Sequence, residues 1–126
     1  MLRVGGSELA MRRTYHDLIA WQRSIHLAKE TYALSESFPA IERFGLTSQM
    51  RRSAVSVASN VAEGASRGTK REFIQFLNIA RGSLAELETQ ITIAVELGLI
   101  PDAKQIRALT DEIFGLLNGL IKSMRR

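Results

Sequence analysis

Cysteine is absent from this chain, which excludes disulfide staples, thiolate metal sites and cysteine nucleophiles and fits a reducing, cytoplasmic setting. No stretch approaches the ~18 consecutive apolar residues of a membrane helix. The opening MLRVGGSELAMRR also lacks the apolar centre of a secretion signal, so no membrane partner is expected. Proline occurs only twice, at positions 39 and 101, leaving long stretches free to be helical. Aromatic residues make up only 6% of the chain, a thin supply for stacking on nucleobases.

What remains is the composition of one globular domain: 126 residues, 45% hydrophobic and 24% charged. Residues 1–13 show no helical period and read as a flexible arm or an overlong start, leaving 14–126 as the domain. Thr14 and Asp17 form a T-x-x-D capping pattern before a first helix. Leu18, Trp21, Ile25, Ala28 and Tyr32 then step along one face, and the pattern stops before Phe38-Pro39. A second helix is expected over about 47–63, with an apolar stripe of Leu46, Met50, Ala54, Val57 and Val61. Gly64 and Gly68 read as its terminators, through their tolerance of left-handed backbone.

A third helix begins near Thr69 or Lys70. Its seam is the cleanest in the chain: Phe73, Leu77, Ala80, Leu84, Leu87, Ile91 and Ala94 alternate steps of four and three until Gly98 and Pro101 end it. A fourth starts at Asp102 and is expected to bury Ile106, Leu109, Ile113, Leu116, Leu120 and Met124. Gly82, Gly115 and Gly119 lie inside predicted helices, where glycine costs about 0.5–1 kcal/mol against alanine, so close helix approach is expected there. Four amphipathic segments with short connections and no two-residue alternation specify an all-α, antiparallel up-down-up-down four-helix bundle.

No catalytic constellation accompanies this architecture. His16 and His26 lie about 15 Å apart along a helix and cannot chelate one metal within it; both Glu-x-x-His positions carry arginine instead, at 13 and 23. Gln22, His26 and Glu30 line one face and read as an exposed polar stripe. GASRGTK at 64–70 lacks the ending of a phosphate loop, and Glu86 and Glu88 point to different faces. A non-enzymatic chain with no cofactor and no metal is expected.

Charge is concentrated. The net charge is +4, and residues 43–81 hold seven basic and two acidic residues, against ten basic and eleven acidic elsewhere. Arg51, Arg52, Arg67, Lys70, Arg71 and Arg81 are therefore the candidate contacts to RNA or DNA. On the second helix Gln49, Arg52, Ser56, Asn60 and Glu63 form a polar stripe. Gln49, Asn60, Glu63 and Gly64 read as a structural or intersubunit motif, because a central helix must find partners for its polar groups.

The segments FGLTSQMRR (44–52), NVAEG (60–64) and ARGSLAELE (80–88) are specific. With Asp17-Leu18, Trp21, Tyr32, Phe38-Pro39, Glu42, Ser53 to Ser56, Phe73 and Phe76-Leu77, they make the chain resemble a bacterial four-helix-bundle family, also called the 23S rRNA intervening-sequence protein family. The resemblance runs from about Tyr15 to Met124 and implies an up-down bundle that assembles with itself, in members known to form pentameric rings. A relative, the accessory variability protein of diversity-generating retroelements, binds reverse transcriptase and RNA. It thus implies a homopentamer as self partner, and RNA, DNA or a nucleic-acid-associated protein as further partner. The alternative is a protein-interaction scaffold without nucleic-acid affinity. Arg51, Arg52, Asn60, Glu63 and Gly64 match the family motif, and no catalytic role transfers with them.

Overall fold

The computed structural model describes residues 14–125. The expected arm at 1–13 lies outside the described residues. Four helices carry the fold: α1 (Ile19–Ser35), α2 (Leu46–Ala65), α3 (Lys70–Glu96) and α4 (Lys104–Met124), and no strand occurs among the described residues. Short 3-10 turns at Thr14–Asp17 and Ala40–Glu42 precede α1 and α2.

Cross-helix pairs establish the antiparallel course. Ser53 faces Glu86 and Ser56 faces Ser83 between α2 and α3; Arg81 reaches Asn118 and Arg107 reaches Thr92 between α3 and α4. In both cases one number rises as the other falls. Each helix packs on its two neighbours around a square, α1 on α2 and α4, and α3 on α2 and α4, with α2 and α3 sharing the most extensive contact.

The core follows the aliphatic seams. The whole α2 stripe from Leu46 to Val61 is buried, as is the α3 seam from Leu77 to Ala94, with Phe73 partly buried at its edge. Among the described residues Gly98 alone adopts a left-handed backbone, φ +74°, and ends the α3 turn as expected.

Four local expectations are corrected. Thr14–Asp17 forms a separate 3-10 turn, closed by Leu18 N–H donating to the Tyr15 carbonyl at 3.0 Å. Helix α1 therefore begins at Ile19 without a side-chain cap, because the cap position falls to Leu18, whose side chain has no acceptor. The buried face of α1 is Ala20, Ser24, Leu27, Thr31 and Ser35, so the expected stripe is rotated, and Ile25 and Tyr32 are exposed. The hydroxyls tolerate burial because Ser24, Thr31 and Ser35 each donate to the carbonyl four residues back, at 2.6–2.8 Å.

In the second half of α4, Leu117 and Ile121 are buried, while Leu116, Leu120 and Met124 are only partly so. The glycines are the last correction. Gly82, Gly115 and Gly119 have nothing within 4 Å of a Cβ placed on them, so no close approach within the chain explains them. Gly64 lies within α2, buried, where a Cβ would sit 2.7 Å from Phe76 Cβ and 3.0 Å from Phe73 Cδ1. It is the point where α2 and α3 touch, not a terminator.

Candidate functional site

The six basic residues do not share one surface. Arg51 belongs to the α1–α2 corner: its Nε donates to Ser35 Oγ at 2.9 Å, its Nη2 lies 3.2 Å from Glu36 Oε2, and its guanidinium sits 4.5 Å from the Tyr32 ring centroid. This is a fastening for α1. Arg51→Ala should cost about 1–2 kcal/mol, seen as a lower melting temperature, through lost charge-assisted hydrogen bonds and cation–π contact. Unchanged melting would sink that assignment. Arg81 is likewise spent on structure, donating to Asn118 Oδ1 at 2.8 Å and Asn78 Oδ1 at 2.7 Å.

Arg52 faces a polar groove of about 430 Å³ between α2 and α3, lined also by Gln49, Ser53, Ser56, Glu86 and Gln90. The buried Gln90 Oε1 has no hydrogen-bond partner among the described residues. Gln49 thus joins Arg52 in the first two turns of α2, with Arg52 about 20 Å along the axis from the helix end at Ala65.

The α2–α3 turn brings the other three together. Thr69 caps α3 by accepting from the Glu72 N–H at 3.1 Å, which fixes Lys70 and Arg71 in the first turn. Both are exposed and form no ion pair among the described residues. Arg67 lies 2.9 Å from Glu63 Oε2, 3.9 Å from Glu72 Oε2 and 4.9 Å from the Phe76 ring centroid. Both acidic residues of the basic segment therefore sit at this end, and its formal charge is only +1.

The polar stripe on α2 holds, but the burial expected for its end does not. Asn60 is half-buried and bonds within its own helix, Nδ2 donating to the Ser56 carbonyl at 2.8 Å and Ser56 Oγ at 3.0 Å. Glu63 is exposed and satisfied by Arg67 one turn on, because it lies on the outward side of α2, off the face that buries Val61 and Gly64.

Two features escaped sequence reasoning. Ile41 and Phe44, on the connector between α1 and α2, are 88% and 87% exposed. That connector is held by Pro39, by successive backbone bonds at 2.9–3.1 Å, and by the Leu46 N–H donating to Glu42 Oε1 at 3.2 Å. The connector itself was legible; that its large apolar residues stay outside the core was not. The second is an assembly: Tyr15 and Trp21, which with Tyr32 are the stacking candidates the sequence offers, join His16 in an aromatic cluster at the start of α1.

Among the described residues, no group of three or more His, Asp or Glu is arranged to hold a metal, and no helix is long and apolar enough to cross a membrane. His26 Nε2 lies 3.4 Å from Glu30 Oε1, an exposed pair one turn apart.

A family model described as 23S rRNA-intervening sequence protein matches residues 16–119. Among solved structures, the chain is similar to a protein of unknown function from the S23 ribosomal protein family of Bacteroides thetaiotaomicron VPI-5482. The identity is 20%, the TM-score 0.68, and the alignment covers 86% of this chain and 100% of the other; the likeness shows the fold. No curated protein matches.

Proposed function

The chain belongs to the 23S rRNA-intervening sequence protein family, and from that premise we propose a non-enzymatic, cytoplasmic, self-assembling bundle that binds RNA or DNA, or a protein bound to it, through its α2–α3 end. The observation that carries the reading is the exposure of Ile41 and Phe44 on a pinned connector, apolar surface that a lone soluble domain does not ordinarily present in so rigid a form. A pentamer is the stoichiometry the resemblance implies. Nucleic-acid contact falls to Arg67, Lys70 and Arg71, with Arg52 further along the bundle; Arg51 and Arg81 are assigned to structure. Gln49, Asn60, Glu63 and Gly64 are assigned to holding α2 in place within the assembly.

Three phosphate contacts per subunit predict a log–log salt slope of about −2 with single-stranded nucleic acid. Reversing Arg67, Lys70 and Arg71 together to Glu should abolish binding while leaving helicity and assembly mass unchanged. Absence of binding by the unaltered protein at about 50 mM salt would rule out the nucleic-acid half. It would favour a protein-interaction scaffold, a reading that the neutralisation of Arg67 by Glu63 and Glu72 supports.

A further inference from the structure

Beside the basic turn lies a groove of about 630 Å³ between the Thr14–Asp17 turn and the end of α2, lined by Tyr15, Ser59, Ala62, Glu63, Ser66 and Arg67. Tyr15, on its lining, belongs to a three-ring cluster. Tyr15 and Trp21 meet edge-on with centroids 5.3 Å apart, His16 stacks on Trp21 at 4.6 Å and 21°, and Tyr15 lies 4.6 Å from His16. Two hydrogen bonds hold the cluster's backbone, from Gln22 Nε2 to the His16 carbonyl at 2.8 Å and from the Leu18 N–H to the Tyr15 carbonyl at 3.0 Å. Tyr15 is half-buried and His16 exposed, so the cluster belongs to the surface rather than the core.

An aromatic ring and an arginine lining one groove, with two further cations on the next turn, is the arrangement that accepts a nucleotide: a π-face for the base and positive charge for flanking phosphates. We propose that this groove takes one base of a single-stranded nucleic acid, stacked against Tyr15, with adjacent phosphates on Arg67, Lys70 and Arg71. The proposal rests on the nucleic-acid reading above and adds a strand state to it. A duplex cannot present a base face, because its bases are already stacked on one another. The lining supplies two serine hydroxyls and the Glu63 carboxylate but no bidentate amide, so the groove accepts any base. Glu63, 2.9 Å from Arg67 in an exposed pair, competes with a phosphate for the guanidinium, so phosphate contact without the stacked base is weak.

Trp21 is the only tryptophan in the chain and touches Tyr15, so its fluorescence reports the site directly. The probes are hexathymidylate, hexauridylate, an abasic deoxyribose-phosphate hexamer and a short DNA duplex, at about 50 mM salt. Both base-bearing single strands should bind roughly tenfold tighter than the abasic hexamer and quench Trp21, with the duplex no better than the abasic strand. Tyr15→Leu should bring the base-bearing strands down to the abasic level while leaving abasic affinity and salt slope intact, and Tyr15→Phe should retain tight binding. Equal affinity of abasic and base-bearing strands for the unaltered protein would overturn the stacking site while leaving the basic-end reading standing. A Tyr15→Leu variant that lowers both affinities alike would overturn it too, by showing a structural role. No binding of any probe would overturn both.

Discussion

Gly64→Ala is expected to lower stability by about 2–3 kcal/mol, enough to lower the melting temperature by about 10 °C in a domain of this size. The direction runs against intrinsic preference, since alanine in a helix gains about 1 kcal/mol over glycine. Geometry decides the sign: the new Cβ would stand 2.7 Å from Phe76 Cβ and 3.2 Å from the Phe73 carbonyl. A Cβ and a carbonyl are fixed to the α3 backbone, so no side-chain rotation relieves the overlap and the two helices must separate. Separation loosens the packing between the two most intimately paired helices. Gly82→Ala is the control, because open space surrounds that position and the propensity gain of about 0.5–1 kcal/mol should appear undiminished. Thermal melts of both variants settle the matter. An unchanged or raised melting temperature for Gly64→Ala would show that α2 and α3 are not in contact there.

Ile41→Ser with Phe44→Ser is expected to convert the proposed assembly to subunits of 14.0 kDa while leaving each subunit folded. Burying two such side chains contributes about 3–6 kcal/mol per interface, a change of roughly 10² to 10⁴ in the association constant. Both are almost wholly exposed in the single chain, so their replacement should change subunit stability by no more than about 0.5 kcal/mol. Multi-angle light scattering at about 10 μM separates the outcomes. A double variant that keeps the parent mass would place the interface elsewhere; a parent that is itself monomeric would remove the assembly reading. The rigidity of the connector matters here, since side chains already held in place lose less freedom on docking.

The legibility of the sequence varied with the chemistry of each buried face. The seam of helix α3 could be read from Leu77 to Ala94 because it is aliphatic and keeps a strict step of three and four, although Ile79 and Ile93 lie outside it and Gln90 is buried beside it. Helix α1 could not, because its buried side includes Ser24, Thr31 and Ser35, and hydropathy treats a hydroxyl as polar even when it has satisfied itself on its own backbone. In α4, Leu116, Leu117, Leu120 and Ile121 offer two equally apolar phases, and only the neighbouring helix decides between them. Gly64 illustrates the same limit from the other side. A glycine near a helix end signals a terminator unless one knows that two phenylalanines of the next helix lie against it.

At the candidate site, charge density grouped six basic residues, of which the fold brings only Arg67, Lys70 and Arg71 together at the α2–α3 turn. Linear counting cannot see that Arg51 turns towards Glu36 or that Arg81 turns towards two asparagines. Nor could it see Tyr15 meeting Arg67 across a groove, since fifty residues separate them and only the fold brings the start of α1 to the end of α2.

The four sides of the square differ in the length of chain that each must close. Gly64 meets Phe73 and Phe76 across a turn of a few residues, whereas the α1–α4 side joins partners as remote as Arg23 and Glu112, 3.0 Å apart. Chain-closure entropy rises with the logarithm of that separation, so the α2–α3 hairpin is the cheapest side to form and α1–α4 the costliest. An apolar groove of about 430 Å³ runs along that costliest side, past Leu18, Gly115 and Gly119. In kinetic terms the bundle has a hinge side and a clasp side: closure entropy favours early formation of the Gly64 contact and first opening along the side where α1 meets α4.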